Sequence, residues 1–376
     1  MLDLEAATPV APAPTPAVPR VLNIRFTGSG SEYFRIWAVN LLLILVTLGL
    51  YLPFAKARRI RYFYANTLVD GQALSFHGDP WKMFRGFMLL VVVFGLYLGL
   101  GALSPGLGAV GFVALVLLWP PLWRAGIRFR LANTSWRGLR FGFSGNVADA
   151  YKAFLPAAVP LALLVILPEE GGAAAKGLAA VAALVFNFMV PWTLGLSKRY
   201  QHNHYRYAQQ QAHTTLQPSQ VWGLSFKAGL LAGLPAILLG IAAAAFMPAL
   251  RDEGGWLPLS GLVLLYLLAY VVASSILTAG LQNLAWSQTA SDDIRFKSEL
   301  STAALARLTL LNWLLMVVTL GLYRPFAAVA TARLRLQAMT VQATADIDAW
   351  AGEEVAWDAH AAGDFAGDFF GIDLGL

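Results

Sequence analysis

Asn40–Phe54 reads NLLLILVTLGLYLPF, and Asn312–Phe326 reads NWLLMVVTLGLYRPF, the same block in register at an offset of 272 residues. Each is an apolar run closed by a Gly and a Pro, two residues that a helix interior tolerates badly. Two copies this far apart record an internal duplication. A second register, at an offset of 67, pairs Pro53 with Pro120, Arg61 with Arg128, Asn66-Thr67 with Asn133-Thr134, Gly71 with Gly138, Phe76 with Phe143 and Gly78 with Gly145. Weaker echoes at Asn187 with Thr193–Leu196, and at Thr289–Phe296, give about five degenerate units.

The composition says what the repeats are made for. Of 376 residues 58% are hydrophobic and 13% charged, against about 25% charged in an ordinary soluble domain. The fold class expected is therefore an all-α polytopic membrane protein. There is no Cys, which removes disulfide frameworks, thiolate nucleophiles and thiolate metal sites. The net charge of +6 is distributed between apolar runs, as in cytoplasmic loops, and no nucleic-acid recognition motif accompanies it. Residues 1–30 open with Pro9, Pro12, Pro14, Pro16 and Pro19 among small residues and are expected to be a disordered tail. The membrane domain is placed at 31–340 and an acidic tail at 341–376.

Charge-free stretches fall at 36–54, 87–123, 154–167, 178–196, 228–250, 256–281 and 308–323. The second holds two segments separated by Ser104-Pro105-Gly106, so about eight hydrophobic segments are expected. Loops after the first, third, fifth and seventh carry 6, 6, 4 and 3 Lys or Arg, and the alternate loops 0, 1 and 1. The basic loops belong to the cytoplasm, and the turn from Pro168 to Gly172 to the opposite side. The run lengths favour full crossing by all eight segments. The competing arrangement makes the first and last re-entrant, broken near Gly49 and Pro53 and near Gly321 and Pro325, with both termini cytoplasmic. Asp70-Gly71, between short alternating runs, predicts a β-hairpin in the first cytoplasmic loop, with Arg137-Gly138 in the same place in the second.

At these residues the chain resembles the YjgN family of bacterial inner-membrane proteins, a domain of unknown function. The carriers are Phe26-Thr27-Gly28, Glu32–Trp37, the block Asn40–Phe54, Arg61-Tyr62, Asn66-Thr67 and the ending Phe369–Leu376. One departure is Phe54, where the family has Trp. The resemblance implies location and fold, over about residues 24–376, and no catalytic residue.

Six polar residues recur within the two terminal blocks: Asn40, Thr47, Tyr51, Asn312, Thr319 and Tyr323. Buried amides need partners, so these positions read either as interhelical hydrogen bonds or as the polar lining of a permeation path. The apolar cores hold essentially no ionisable residue, which argues against proton-coupled transport. Lys56, Arg58, Arg59, Arg61, Arg124, Arg128 and Arg130 are candidate contacts for anionic lipid head groups, and topology determination alone also accounts for them. His202-Asn203-His204 with His213 reads as a solvated loop, so no metal or cofactor is expected. His77 and His360 stand alone, and Gly28-Ser29-Gly30 lacks the Lys of a phosphate loop. From Asp346 on there are eight acidic residues, no Lys or Arg, and interspersed Trp350, Trp357, Phe365, Phe369 and Phe370, a pattern of a solubilising tail or of one that binds a partner or docks on a basic surface. The functional expectation is a non-enzymatic inner-membrane protein that passes or accommodates a small solute or lipid without proton coupling. The alternative is a scaffold that recruits a protein through its cytoplasmic loops or acidic tail.

Overall fold

The computed structural model describes residues 20–167, 171–246 and 256–344. Five helical hairpins follow one another: α1 (Gly30–Val46) with α2 (Leu52–Ala65), α3 (Pro80–Leu103) with α4 (Pro105–Ala132), α5 (Val147–Ile166) with α6 (Ala173–Asn203), α7 (Pro218–Phe246) with α8 (Trp256–Ser287), and α9 (Thr302–Val318) with α10 (Arg324–Gln337). Each helix packs on the next in chain order, and α1 packs on α10, so the ten helices close a ring. Local signals set the starts. Ser29, Asp79, Ser104, Asn146 and Ser301 accept a backbone N–H of the helix they precede, satisfying a donor that has no intrahelical acceptor.

Below the ring the connections form one β-structure. β1 (Arg20–Phe26), β2 (Thr67–Val69), β3 (Gln72–Ala73), β4 (Ser75–Phe76), β5 (Thr134–Trp136), β6 (Leu139–Phe143), β7 (Tyr205–Tyr207), β8 (Gln210–Gln211), β9 (His213–Thr214), β10 (Thr289–Ala290), β11 (Ile294–Ser298) and β12 (Met339–Ala343) pair in the orders β3-β2-β1-β12-β11-β10-β9 and β4-β5-β6-β7-β8. Only Leu74 separates β3 from β4, and only Ala212 separates β8 from β9, so the chain carries each sheet into the other and the strands encircle a common axis. The predicted hairpin is present: Asp70 and Gly71 both have positive φ, as do Arg137 and Gly138, the geometry of a tight turn between twisted strands. The interior is filled by Leu22, Trp136, Leu139, Tyr207, Ile294, Val341 and Ala343, from strands all around the circle. Small barrels are closed by their own side chains in this way.

The Phe-x-Gly pattern has a steric cause. A Cβ added at Gly28 would lie 2.8 Å from the Phe26 ring, and one at Gly145 2.7 Å from the Phe143 ring. The strand-to-helix bend folds the chain back over its own Phe, and only Gly fits.

Six helices, α3 to α8, are long and apolar enough to cross a membrane. The expectation of eight crossings is corrected here. β1, before α1, pairs with β2, after α2, and β11, before α9, pairs with β12, after α10. Both ends of each terminal hairpin therefore lie on the strand side. Run length misled because the helix is broken inside the run: Leu48 and Gly49 have φ of 50° and 92°, and Leu320 and Gly321 of 50° and 88°. Phe54 meets Trp81 edge-on at 5.0 Å and Phe84 at 5.9 Å, just before the last charge of α3, Arg85. The tip, six residues away, reaches about 9 Å above that level, leaving about 20 Å of α3 above it. Each terminal hairpin thus leaves and returns on the strand side, as in the re-entrant arrangement. The tail boundaries also move: residues 20–26 are a barrel strand rather than tail, and β12 extends to Ala343. The readings of residues 1–19, of Glu169-Glu170 and of the tail after Thr344 lie outside the described residues.

Candidate functional site

The duplicated block is a membrane turn. Thr47 Oγ1 donates to the Leu43 carbonyl at 2.7 Å and accepts the Tyr51 N–H at 3.0 Å. The N–H groups of Thr47, Leu48, Gly49, Leu50 and Leu52 reach Leu43, Leu45, Ile44, Thr47 and Gly49 carbonyls. Every backbone donor from 47 to 52 is thus satisfied locally. In hydrocarbon an unsatisfied group costs several kcal/mol, and this turn leaves no N–H from 47 to 52 without an acceptor. The second copy repeats it bond for bond, with Thr319 Oγ1 donating to Leu315 and accepting from Tyr323 N–H. Leu48 and Leu320 sit at the tips, 94% and 93% exposed, as apolar anchors. Tyr51 stacks on Phe54 at 5.4 Å and Tyr323 on Phe326 at 5.5 Å. Asn40 and Asn312 are buried on the two entering helices. Asn312 donates to Thr331 Oγ1 at 3.4 Å, within its own hairpin, and both Asn Oδ1 atoms lack a protein partner. The six positions therefore form two separate equivalent groups, one per hairpin.

The seven basic positions divide by environment. Arg61 donates to the Gly78 carbonyl and Arg124 to the Gly145 carbonyl, each tying a helix to the Phe-x-Gly bend of the next unit. Arg333 does the same to Gly28. Arg130 is buried, 7% exposed. Lys56 and Arg128 are half-buried, while Arg58 and Arg59 are exposed and lie over the Tyr51 and Phe63 rings. Arg61 is exposed as well, so three of the seven, Arg58, Arg59 and Arg61, reach the surface.

Two features escaped sequence reasoning because they exist only once the ring closes. One is an aromatic plug on its axis. His202 meets Trp286 at 4.9 Å and Tyr205 at 5.1 Å, and Trp286 meets Phe296 at 5.1 Å, next to the barrel core. Burial pushes the Tyr205 phenol up, against the opposing influence of Arg130, so that phenol stays neutral. The other is the membrane half above the short hairpins, where α3 and α8 have no long terminal helix beside them. On α3, Leu89, Val92 and Leu96 are exposed on one side and Val91, Phe94 and Leu98 on the opposite side, each between 44% and 62%. On α8, Leu265, Leu268 and Val272 oppose Val263, Leu267 and Tyr270, all also exposed. Residues spaced three, four or seven apart share a helix face, so each helix shows two opposite exposed apolar faces. Among the described residues no three His, Cys, Asp or Glu gather to hold a metal.

Three curated relatives are similar to part of the chain, all named inner membrane protein YjgN. The one from Salmonella typhimurium is 32% identical over 145 residues, 38% of this chain and 37% of the relative. Those from Escherichia coli O157:H7 and strain K12 are 34% and 36% identical over 134 and 120 residues, 35% and 32% of this chain and 34% and 30% of the relatives. The matches span about a third of the relatives' length. No solved structure matches. With its six membrane-length helices, the chain is a multi-pass inner-membrane protein. The model of the family described as "Bacterial protein of unknown function (DUF898)" matches residues 21–369, nearly the whole chain, and this protein belongs to that family.

Proposed function

We propose that the protein accommodates lipid acyl chains, or an apolar solute of similar shape, inside a ring of helices that is open sideways in the outer half of the membrane. The observation that supports this is the exposure of opposite apolar faces on α3 and α8. The six spanning helices form an arc from α3 to α8. The four short helices α9, α10, α1 and α2 fill the gap between its ends only in the cytoplasmic half. A space walled by Leu, Val and Phe and opening onto hydrocarbon takes up acyl chains at no desolvation cost. The central stretches of these helices carry no ionisable side chain, so loading is uncoupled from protons. The aromatic plug and packed barrel close the axis toward the cytoplasm, which favours lateral exchange with the bilayer over conduction along the axis.

The test is photocrosslinking in lipid vesicles, with a benzophenone side chain placed singly at Leu96, Leu98, Leu265 and Leu267. Lipid adducts at all four positions, on both faces of each helix, support the reading. Crosslinks to another helix in place of lipid at one face of each pair would sink it. Scaffolding through the cytoplasmic face is the second reading, favoured by the barrel, a folded surface that acyl-chain binding does not need.

A further inference from the structure

The outer wall of the barrel carries a groove of about 360 Å³ lined by His213, Ala290, Arg295, Phe296, Lys297 and Gln342, among others. The pairing register explains it. His213, Ala290, Arg295, Gln342 and Val21 lie opposite one another on five successive strands, and the side chains of one such row share a face. Ala290 is the small floor. His213 and Arg295 flank it, and Lys297, one pleat along, pairs with Glu299 at 2.6 Å. Val21, at 50% exposure, adds apolar surface. Arg25 and Arg20 stand on the adjoining β1, exposed.

We propose that the acidic tail, residues 345–376, docks in cis along this row. Three features of the molecule point to that occupant. The tail leaves the barrel at the groove, since Gln342 lines it and Thr344 is hydrogen-bonded to Asp293 beside it. Its charge is complementary: eight Asp or Glu and no Lys or Arg from Asp346 on, opposite Arg295 and Lys297, with Arg25 exposed on the adjoining β1. It also carries aromatics, including Trp350 and Trp357, to set against Val21. Tethering adds an effective concentration of the order of 1 mM, so an intrinsic dissociation constant of about 0.1 mM leaves about nine-tenths of the grooves filled. Docking is independent of lipid accommodation.

The absence of Cys makes a direct test available. Ala290→Cys is introduced into the full chain in lipid nanodiscs, and its reaction with a soluble maleimide is timed, with Gln72→Cys on β3 as the control. Full-length Ala290→Cys is expected to react roughly tenfold more slowly than the same protein cut after Thr344. The protection should be lost in Arg295→Glu and in a tail of unchanged length with its eight carboxylates made amides, and weakened by 0.5 M salt. The synthetic peptide 345–376 should restore it to the cut chain, and the control should not respond to any of these changes. Equal rates in full-length and cut protein overturn the proposal. So does protection seen only in crude membranes and lost on purification, which would place another protein in the groove.

Discussion

At the residue scale the block TLGLY was legible as a repeat but not as a turn. Its Thr, Tyr and Asn were set out as pore lining or interhelical contacts, because spacing along a continuous helix was the only frame the sequence supplied. The structure breaks that helix at Leu48, and Thr47 becomes the hinge: its hydroxyl replaces the carbonyl that would have received the Tyr51 N–H. Thr47→Val keeps the shape and removes the hydroxyl, leaving a buried donor unsatisfied, which costs about 1–3 kcal/mol. A lower unfolding temperature in detergent and faster amide exchange at Tyr51 are expected, whereas Thr47→Ser should leave both nearly unchanged. Gly49, at φ of 92°, calls for a residue without Cβ. Its substitution by Ala should cost about 1–2 kcal/mol in the same assay, although almost nothing stands near it. A neutral Gly49→Ala would mean that the turn relaxes out of the left-handed region.

At the scale of elements, the segments, their basic loops and the Asp-Gly hairpin were readable because hydropathy, Lys and Arg placement and turn chemistry are local signals. Whether a segment crosses depends on where its two ends go, and that is settled by strand pairs such as Phe26 with Thr67, which no local signal announces. The re-entrant geometry has a simple consequence in a chain without Cys. Leu48→Cys and Leu320→Cys should resist membrane-impermeant thiol reagents applied from either side, while Ser104→Cys at the α3–α4 turn reacts from the periplasm. Reaction of residue 48 from the periplasm would mean that α1 and α2 each cross the whole bilayer, which overturns the re-entrant geometry. Packing between elements offers a second check. A Cβ at Gly195 on α6 would lie 2.6 Å from Pro218 Cα at the start of α7, whereas one at Gly223 meets nothing within 4 Å. Gly195→Ala should therefore destabilise by about 1–3 kcal/mol, since backbone yields less readily than a side-chain tip. Gly223→Ala should be close to neutral. Similar thermal shifts for the two would contradict the close crossing of α6 and α7.

At the scale of the whole molecule, the repeat offsets acquire a geometric meaning. Five hairpins of helices stand on strands contributed in turn by each connection, and the two hairpins that carry the terminal block, its copies 272 residues apart in sequence, become neighbours where Phe34 of α1 meets Phe326 of α10 at 5.8 Å. The last step of closure is made by the two ends of the described chain: β1 pairs with β12, with Asn23 opposite Thr340. An open strand edge at this position would expose Leu22 and Val341, both buried in the barrel core, so ring and barrel stand or fall together. This can be fixed covalently. Asn23 and Thr340 lie directly opposite on an antiparallel pair, a separation within disulfide reach, and neither is part of the core. Oxidation of Asn23→Cys/Thr340→Cys should join the ends of almost the whole chain into one loop. It should read as faster migration on a non-reducing gel and a higher unfolding temperature, because closing a loop longer than 100 residues removes about 4–5 kcal/mol of unfolded-state entropy in the chain-entropy model. A control pair at Asn23→Cys/Gln211→Cys, on strands that do not pair, should stay reduced under the same conditions. If the first pair also stays reduced, the ends do not meet, the ring is open at α10 and α1, and the floor beneath the outer-leaflet space is absent, which removes the support for lipid accommodation along with the closure.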